Sequence, residues 1–158
     1  MAFGSGARLT AGLLNGTFPP SSSDTQVTLG STTSTSFVET LTGGTACSFT
    51  FVAPLSGAVI VNNSGLVDQN TSTTARGYLG WIIREGGSIG SGTTFLAATD
   101  DDCVTNIGLD DISAGRARRV TGLTAGGIYN IRQRFRTSAA AGTGAVFVGK
   151  HLAVVPVV

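Results

Sequence analysis

Over residues 128–136 the chain alternates without a break. Tyr129, Ile131, Gln133 and Phe135 fall on one side, and Asn130, Arg132, Arg134 and Arg136 on the other. Side chains on a strand switch face at every residue, so this pattern predicts a β-strand with one packed face and one cationic face. Guanidinium groups two residues apart on a strand lie roughly 6–7 Å from each other and repel unless anions sit between them. Such a face is either left in water or turned toward acidic groups.

Shorter alternating or apolar runs, bounded by Gly, Pro, Ser and Thr, predict further strands over residues 25–29, 35–41, 46–53, 57–62, 76–85, 93–99, 103–109, 117–122 and 145–155. Cys47, Phe49 and Phe51 share a face, and Pro54 ends their run because it has no N–H for a ladder. The nearly continuous apolar run at 57–62 predicts a central strand or one covered on both sides, and residues 63–75 read as a polar loop. Leu79, Trp81 and Ile83 share a core face. No segment holds a helical period and none repeats at a fixed interval. The expected fold is all-β, a single jelly-roll-like β-sandwich over residues 25–158 preceded by an extended N-terminal arm over residues 1–24. The arm carries Phe3, Leu9, Leu13, Leu14 and Phe18 ahead of Pro19 and Pro20, five large apolar side chains with no strand to hold them. They are read as an anchor that docks on a neighbouring subunit, against the alternative of a solvated tail.

Composition sharpens this picture. Charged residues are 12% of the chain, about half the usual share, and nine of the ten basic residues are Arg, with Lys150 the exception. Arg forms fixed bidentate bonds with carboxylates, whereas Lys mainly solubilises a surface. A surface poor in Lys suits a protein covered by other subunits. The net charge of +1 gives no bulk attraction to nucleic acid or an anionic membrane. No apolar stretch is long enough to span a bilayer, and the first residues lack the charged and apolar regions of a secretory signal. Cys47 and Cys103 have no metal-ligand or CxxC spacing; a disulfide between them is the weaker reading.

Five of the nine acidic residues, Asp100, Asp101, Asp102, Asp110 and Asp111, fall close together, while Arg116, Arg118, Arg119, Arg132, Arg134 and Arg136 follow. A calcium site, a solvated acidic loop and a charge-paired contact between subunits are three readings of this segregation. The spacing does not fit an EF-hand loop, and calcium ranks last. In a symmetric oligomer, one subunit's aspartates can meet the next subunit's arginines. All of these acidic and basic residues are therefore candidate contact residues. Nucleic-acid binding needs aromatic rings on the cationic face, and Tyr129 and Phe135 lie on the other. The single histidine, His151, reads as an ordinary sheet residue, and no nucleophile elbow, metal-ligand cluster or phosphate loop is present. No catalysis, cofactor or metal is expected.

The segment Gly6-Ala7-Arg8-Leu9-Thr10-Ala11-Gly12-Leu13-Leu14-Asn15 resembles the opening of many tailed-phage virion proteins. The Thr/Ser-rich run at 32–40, the strand-Pro-x-Ser-Gly-x-Val-x-Val pattern at 51–61, the stretch from Arg118 or Arg119 to Arg136, and the ending Val154-Val155-Pro156 extend the likeness over most of the chain. The chain thus resembles small virion structural proteins of tailed phages of actinobacteria, of the minor tail, fibre or decoration type. That resemblance implies a trimeric jelly roll, assembled into the virion in the host cytoplasm and held by its arm to other capsid or tail proteins. A host-surface glycan-binding module is the alternative it implies. The chain lacks the collagen-like or coiled-coil shaft of a full fibre.

Overall fold

In a computed structural model of the chain, residues 19–68, 75–107, 111–139 and 144–157 are described. They form ten strands: β1 (Ser22–Gln26), β2 (Gly30–Thr32), β3 (Ser48–Val52), β4 (Val59–Asp68), β5 (Arg76–Glu85), β6 (Thr94–Leu96), β7 (Val104–Ile107), β8 (Ile112–Val120), β9 (Ile128–Thr137) and β10 (Ala145–Pro156). One turn of 3₁₀ helix, Asp100–Asp102, precedes β7. Among the described residues no helix is long and apolar enough to cross a membrane.

The strands make two antiparallel sheets. One runs β1-β10-β4-β8 with β2 added beside β10; the other runs β3-β9-β5-β6 with β7 also on β5. The sheets pack face to face, the arrangement of a β-sandwich. Alternation sets what each face holds. Val59, Val61 and Val67 of β4, Leu79, Trp81 and Ile83 of β5, Ile131 and Phe135 of β9, and Phe147, Leu152 and Val154 of β10 are all buried between the sheets. Two apolar clusters result, one around Trp81 and Tyr129 and one around Phe135 and Phe147. Between them lies a polar bridge: Gln133 Nε2 donates to Asn63 Oδ1 at 2.9 Å and Asn63 Nδ2 donates to the Leu79 carbonyl at 2.9 Å.

The strands expected at 76–85 and 128–136 occur as β5 and β9. Others differ for local reasons. Residues 35–41 form no strand. The Ser34 hydroxyl donates to the Ser36 carbonyl and accepts from the Ser36 N–H, which curls the chain, and only Val38 bridges to Phe135. β4 runs on to Asp68 through residues read as loop, because Asn63 finds partners inside the sandwich. It is central, between β10 and β8, but Ile60 on its outer face is 36% exposed, so it is covered on one side only. β1 starts at Ser22 and ends at Gln26, so the sheet takes in the last three residues of the 1–24 stretch. Beyond it the buried Lys150 ammonium binds the Thr28 carbonyl, next to a bulge in β10 between Val148 and His151.

The two ends of the sandwich differ. Ser22, Val52, Val59, Glu85, Val120, Ile128 and Pro156 mark one end, where the chain arrives from Pro19. Asp68, Arg76, Ile107, Ile112, Thr137 and Ala145 mark the other.

Candidate functional site

The cationic side of β9 faces away from the core. Its register against β5 sets Arg132 beside Ile82, Arg134 beside Gly80 and Arg136 beside Tyr78. This outer face is not bare. Backbone bonds from Phe135 to Val38 and from Thr137 to Ser34 hold the stretch between β2 and β3 along the β9 edge. Phe37 and Glu39 from that stretch, and Ala98 and Cys103 from the stretch between β6 and β7, form a roof over the sheet. Gly80 explains the closeness of the roof: a Cβ there would lie 2.8 Å from Cys103 Sγ and 3.2 Å from both Ala98 and Phe37. A third covering piece comes from the loop after β5, where Asn130, fully buried, bonds to Gly86, Gly90 and Ser91.

Under this cover the guanidinium groups meet acids of the same chain. Glu39 is the hub. Its carboxylate pairs with Arg84, sits 3.6 Å from Arg132 Nη1 and 3.9 Å from Arg134 Nε, and its side chain is only 18% exposed. The two longer distances are ion-pair contacts, too long for hydrogen bonds. Arg134 instead donates Nη2 to the Phe37 carbonyl. Arg136 pairs with Asp100, Nε donating to Oδ1 at 3.0 Å, and its guanidinium lies 3.8 Å from the Tyr78 ring centre and 5.4 Å from that of Phe37. Asp102 pairs with Arg118, which reaches over the Trp81 ring from β8. The single turn Asp100–Asp102 therefore binds one arginine from each sheet.

The candidate contact residues thus fall into two sets. Arg118, Arg132, Arg134, Arg136, Asp100 and Asp102 pair within the chain. Arg116, Arg119, Asp101 and Asp111 are exposed, and none has an ion pair among the described residues. Asp110 lies outside the described residues, as do the anchor residues Phe3, Leu9, Leu13, Leu14 and Phe18. Among the described residues no three His, Cys, Asp or Glu side chains converge in a way that suits a metal ion. Glu39 and Arg84 are absent from the sequence-based set. Glu39 is an isolated charge in a Thr-rich run and Arg84 has only Glu85 beside it, so clustering along the chain could not have found them.

The remaining chemistry-bearing groups are quiet. Cys47 and Cys103 are free and buried, and burial pushes each thiol up to about 12 from the usual 9.0. Lys150 is fully buried and pushed below the usual lysine value by that burial; its ammonium donates to the carbonyls of Thr28 and Phe147. His151 lies half-buried on the sheet between Thr25 and Ser64. At the end where the chain arrives, Pro19, Pro20, Phe51, Val52 and Ile128 line an apolar groove of about 400 Å³. In comparisons with protein-family models and with curated proteins, the chain matches none.

Proposed function

We propose that the chain is a jelly-roll structural subunit of a tailed-phage virion, a capsid decoration or minor tail protein held by its leading segment and displayed outward. The strand order supports the jelly-roll reading. The pairs β1 with β10, β3 with β9, β4 with β8 and β5 with β6 are nested from outermost to innermost, as in one long hairpin, and are dealt alternately to the two sheets. Rolling such a hairpin produces the double Greek key of a jelly roll, an architecture that recurs in viral capsid and lectin domains. Architecture alone does not assign a function.

One observation carries the structural reading: the polarity of the sandwich. The leading segment joins at Pro19, beside the apolar groove, while the connections after Asp68, Ile107 and Thr137 leave from the far end. A molecule fastened through residues 1–18 would present that far end to the surroundings. Of the candidate contact residues, Arg116, Arg119, Asp101 and Asp111, exposed and without an ion pair among the described residues, are left for sister subunits in the trimer that the resemblance implies. The glycan-binding alternative draws no support from the described aromatic rings, each of which is buried or half-buried.

Electron microscopy of intact particles tests the proposal directly. A sandwich-sized density is expected at repeated surface positions, lost when residues 1–18 are deleted. Particles that keep the truncated chain at full occupancy would refute the anchor. A chain recovered only as free monomer, with none on particles, would refute the structural role.

A further inference from the structure

The charges under the roof do not balance. Arg84, Arg132 and Arg134 share one carboxylate, Glu39. Asp100 is taken by Arg136, and Glu85 falls on the opposite face of β5 from Arg84 by strand alternation. Among the described residues the cluster therefore holds an excess of two positive charges on side chains that are 13% to 27% exposed. Its donors outnumber their acceptors too. Among the described residues Arg84 Nη1, Arg132 Nε and Arg134 Nε, all buried, have no hydrogen-bond acceptor, and Arg132 donates to none of these residues at all. Buried guanidinium groups without counter-charge are costly, and planar N–H forks suit carboxylate and phosphate oxygens.

The loop after β5 borders the cluster. Gly90, at a φ of +81°, approaches the cluster: a Cβ built there would sit 3.6 Å from Arg132 Nη1 and 3.8 Å from a Glu39 oxygen. Its backbone is fixed by Asn130, whose Oδ1 accepts from the Gly90 N–H at 3.2 Å. Arg132 and Arg134 keep about a quarter of their side chains exposed, so an anion arriving from solvent meets them first; Arg84 lies deeper.

We infer that the Arg84, Arg132 and Arg134 cluster, walled by the Gly90 loop and the Glu39 stretch, is a binding site for a small tetrahedral oxyanion such as inorganic phosphate or sulfate. Glu39 sets the charge of the site and keeps the three guanidinium groups together when no anion is bound. The inference does not rest on the virion reading and holds for the isolated chain.

The test is a titration of the full chain with sodium phosphate, sodium sulfate and sodium acetate, each against sodium chloride at matched ionic strength. The readouts are the arginine Nε–H signals in ¹⁵N NMR spectra and the melting temperature. Phosphate and sulfate should move the Arg84, Arg132 and Arg134 signals saturably, leave the exposed Arg116 and Arg119 signals in place, and raise the melting temperature beyond chloride. Acetate should act more weakly, since it has two oxygens to share among three forks; equal action by acetate would overturn the tetrahedral assignment. Arg132→Gln should weaken phosphate binding about tenfold or more, the value of one lost charge-assisted bond. Glu39→Gln should tighten it several-fold. Should either variant fail to fold, the wild-type titration decides alone. Equal drift of all arginine signals, or phosphate affinity unchanged in folded Arg132→Gln, would overturn the site.

Discussion

Gln133 and Asn63 join the two sheets through their side-chain amides, at 2.9 Å and with both residues fully or almost fully buried. The Gln133 Oε1 also accepts from the Cys47 N–H, and its Nε2 also reaches the His151 carbonyl. A glutamine at this depth in an apolar sandwich is stabilised only because all these partners are present. Gln133→Leu should destabilise the fold by about 2–4 kcal/mol, because it leaves Asn63 Oδ1 and the Cys47 N–H without partners. Urea unfolding curves check this. A loss under about 1 kcal/mol would mean that water replaces the amide.

Glu39 is the shared counter-ion of three arginines, so its charge matters more than its size. Glu39→Gln keeps the shape and removes the charge. The expected loss is about 2–4 kcal/mol, less than for a fully enclosed pair because all four side chains keep some solvent. Chemical denaturation at low and high salt is the measurement. High salt should narrow the difference from wild type, since screening relieves the repulsion that the variant uncovers.

Arg136 and Asp100 form a pair of unequal members. Asp100 is 54% exposed, so Asp100→Ala should cost about 1 kcal/mol or less. Arg136→Ala should cost more, because it also removes the stacking on Tyr78 and Phe37. A double-mutant cycle separates the two contributions. Equal single-mutant losses would assign the energy to the ion pair in place of the rings.

The alkaline limb of stability has a defined sign. Cys47 and Cys103 have folded values raised to about 12 from 9.0, so the fold favours the neutral thiols. Their contribution is fully present below pH 9.0 and is lost between there and about pH 12, by up to about 1.4 kcal/mol per pH unit for each thiol. Lys150 acts in the opposite sense. Its folded value is lowered, so its burial penalty is full at low pH and fades as pH rises toward the usual 10.5. Denaturation from pH 8 to pH 11 should show a decline with pH that flattens in Cys103→Ala. Lys150→Met should be neutral or stabilising at pH 7, with its advantage shrinking on the way to pH 10.5. A decline of the same slope in Cys103→Ala would remove that thiol from the account.

Much of the fold was legible because alternation is a local property. Tyr129, Ile131, Gln133 and Phe135 could be assigned to one face without knowing what lay beneath them, and all four are buried. The same logic placed Leu79, Trp81 and Ile83. What local pattern does not carry is the second covering of a sheet. The arginine face was legible as cationic, which left it either in water or turned toward acidic groups. Which of the two holds, and through which acid, was hidden, because Glu39 lies some ninety residues before Arg132 and arrives through a curled segment that has strand-like spacing. Density of charge along the chain drew attention to the aspartates, and two of them do bind arginines. The hub turned out to be a solitary glutamate. Register beyond obvious polar breaks was hidden for a related reason: Asn63 reads as loop until Gln133 faces it.

The turn Asp100–Asp102 holds Arg118 of one sheet and Arg136 of the other within three consecutive residues. In mechanical terms it is a hasp across two leaves. A load that pries the leaves apart strains both fastenings at once, so they share the force and yield together, and the edge should resist opening more than either bond alone would.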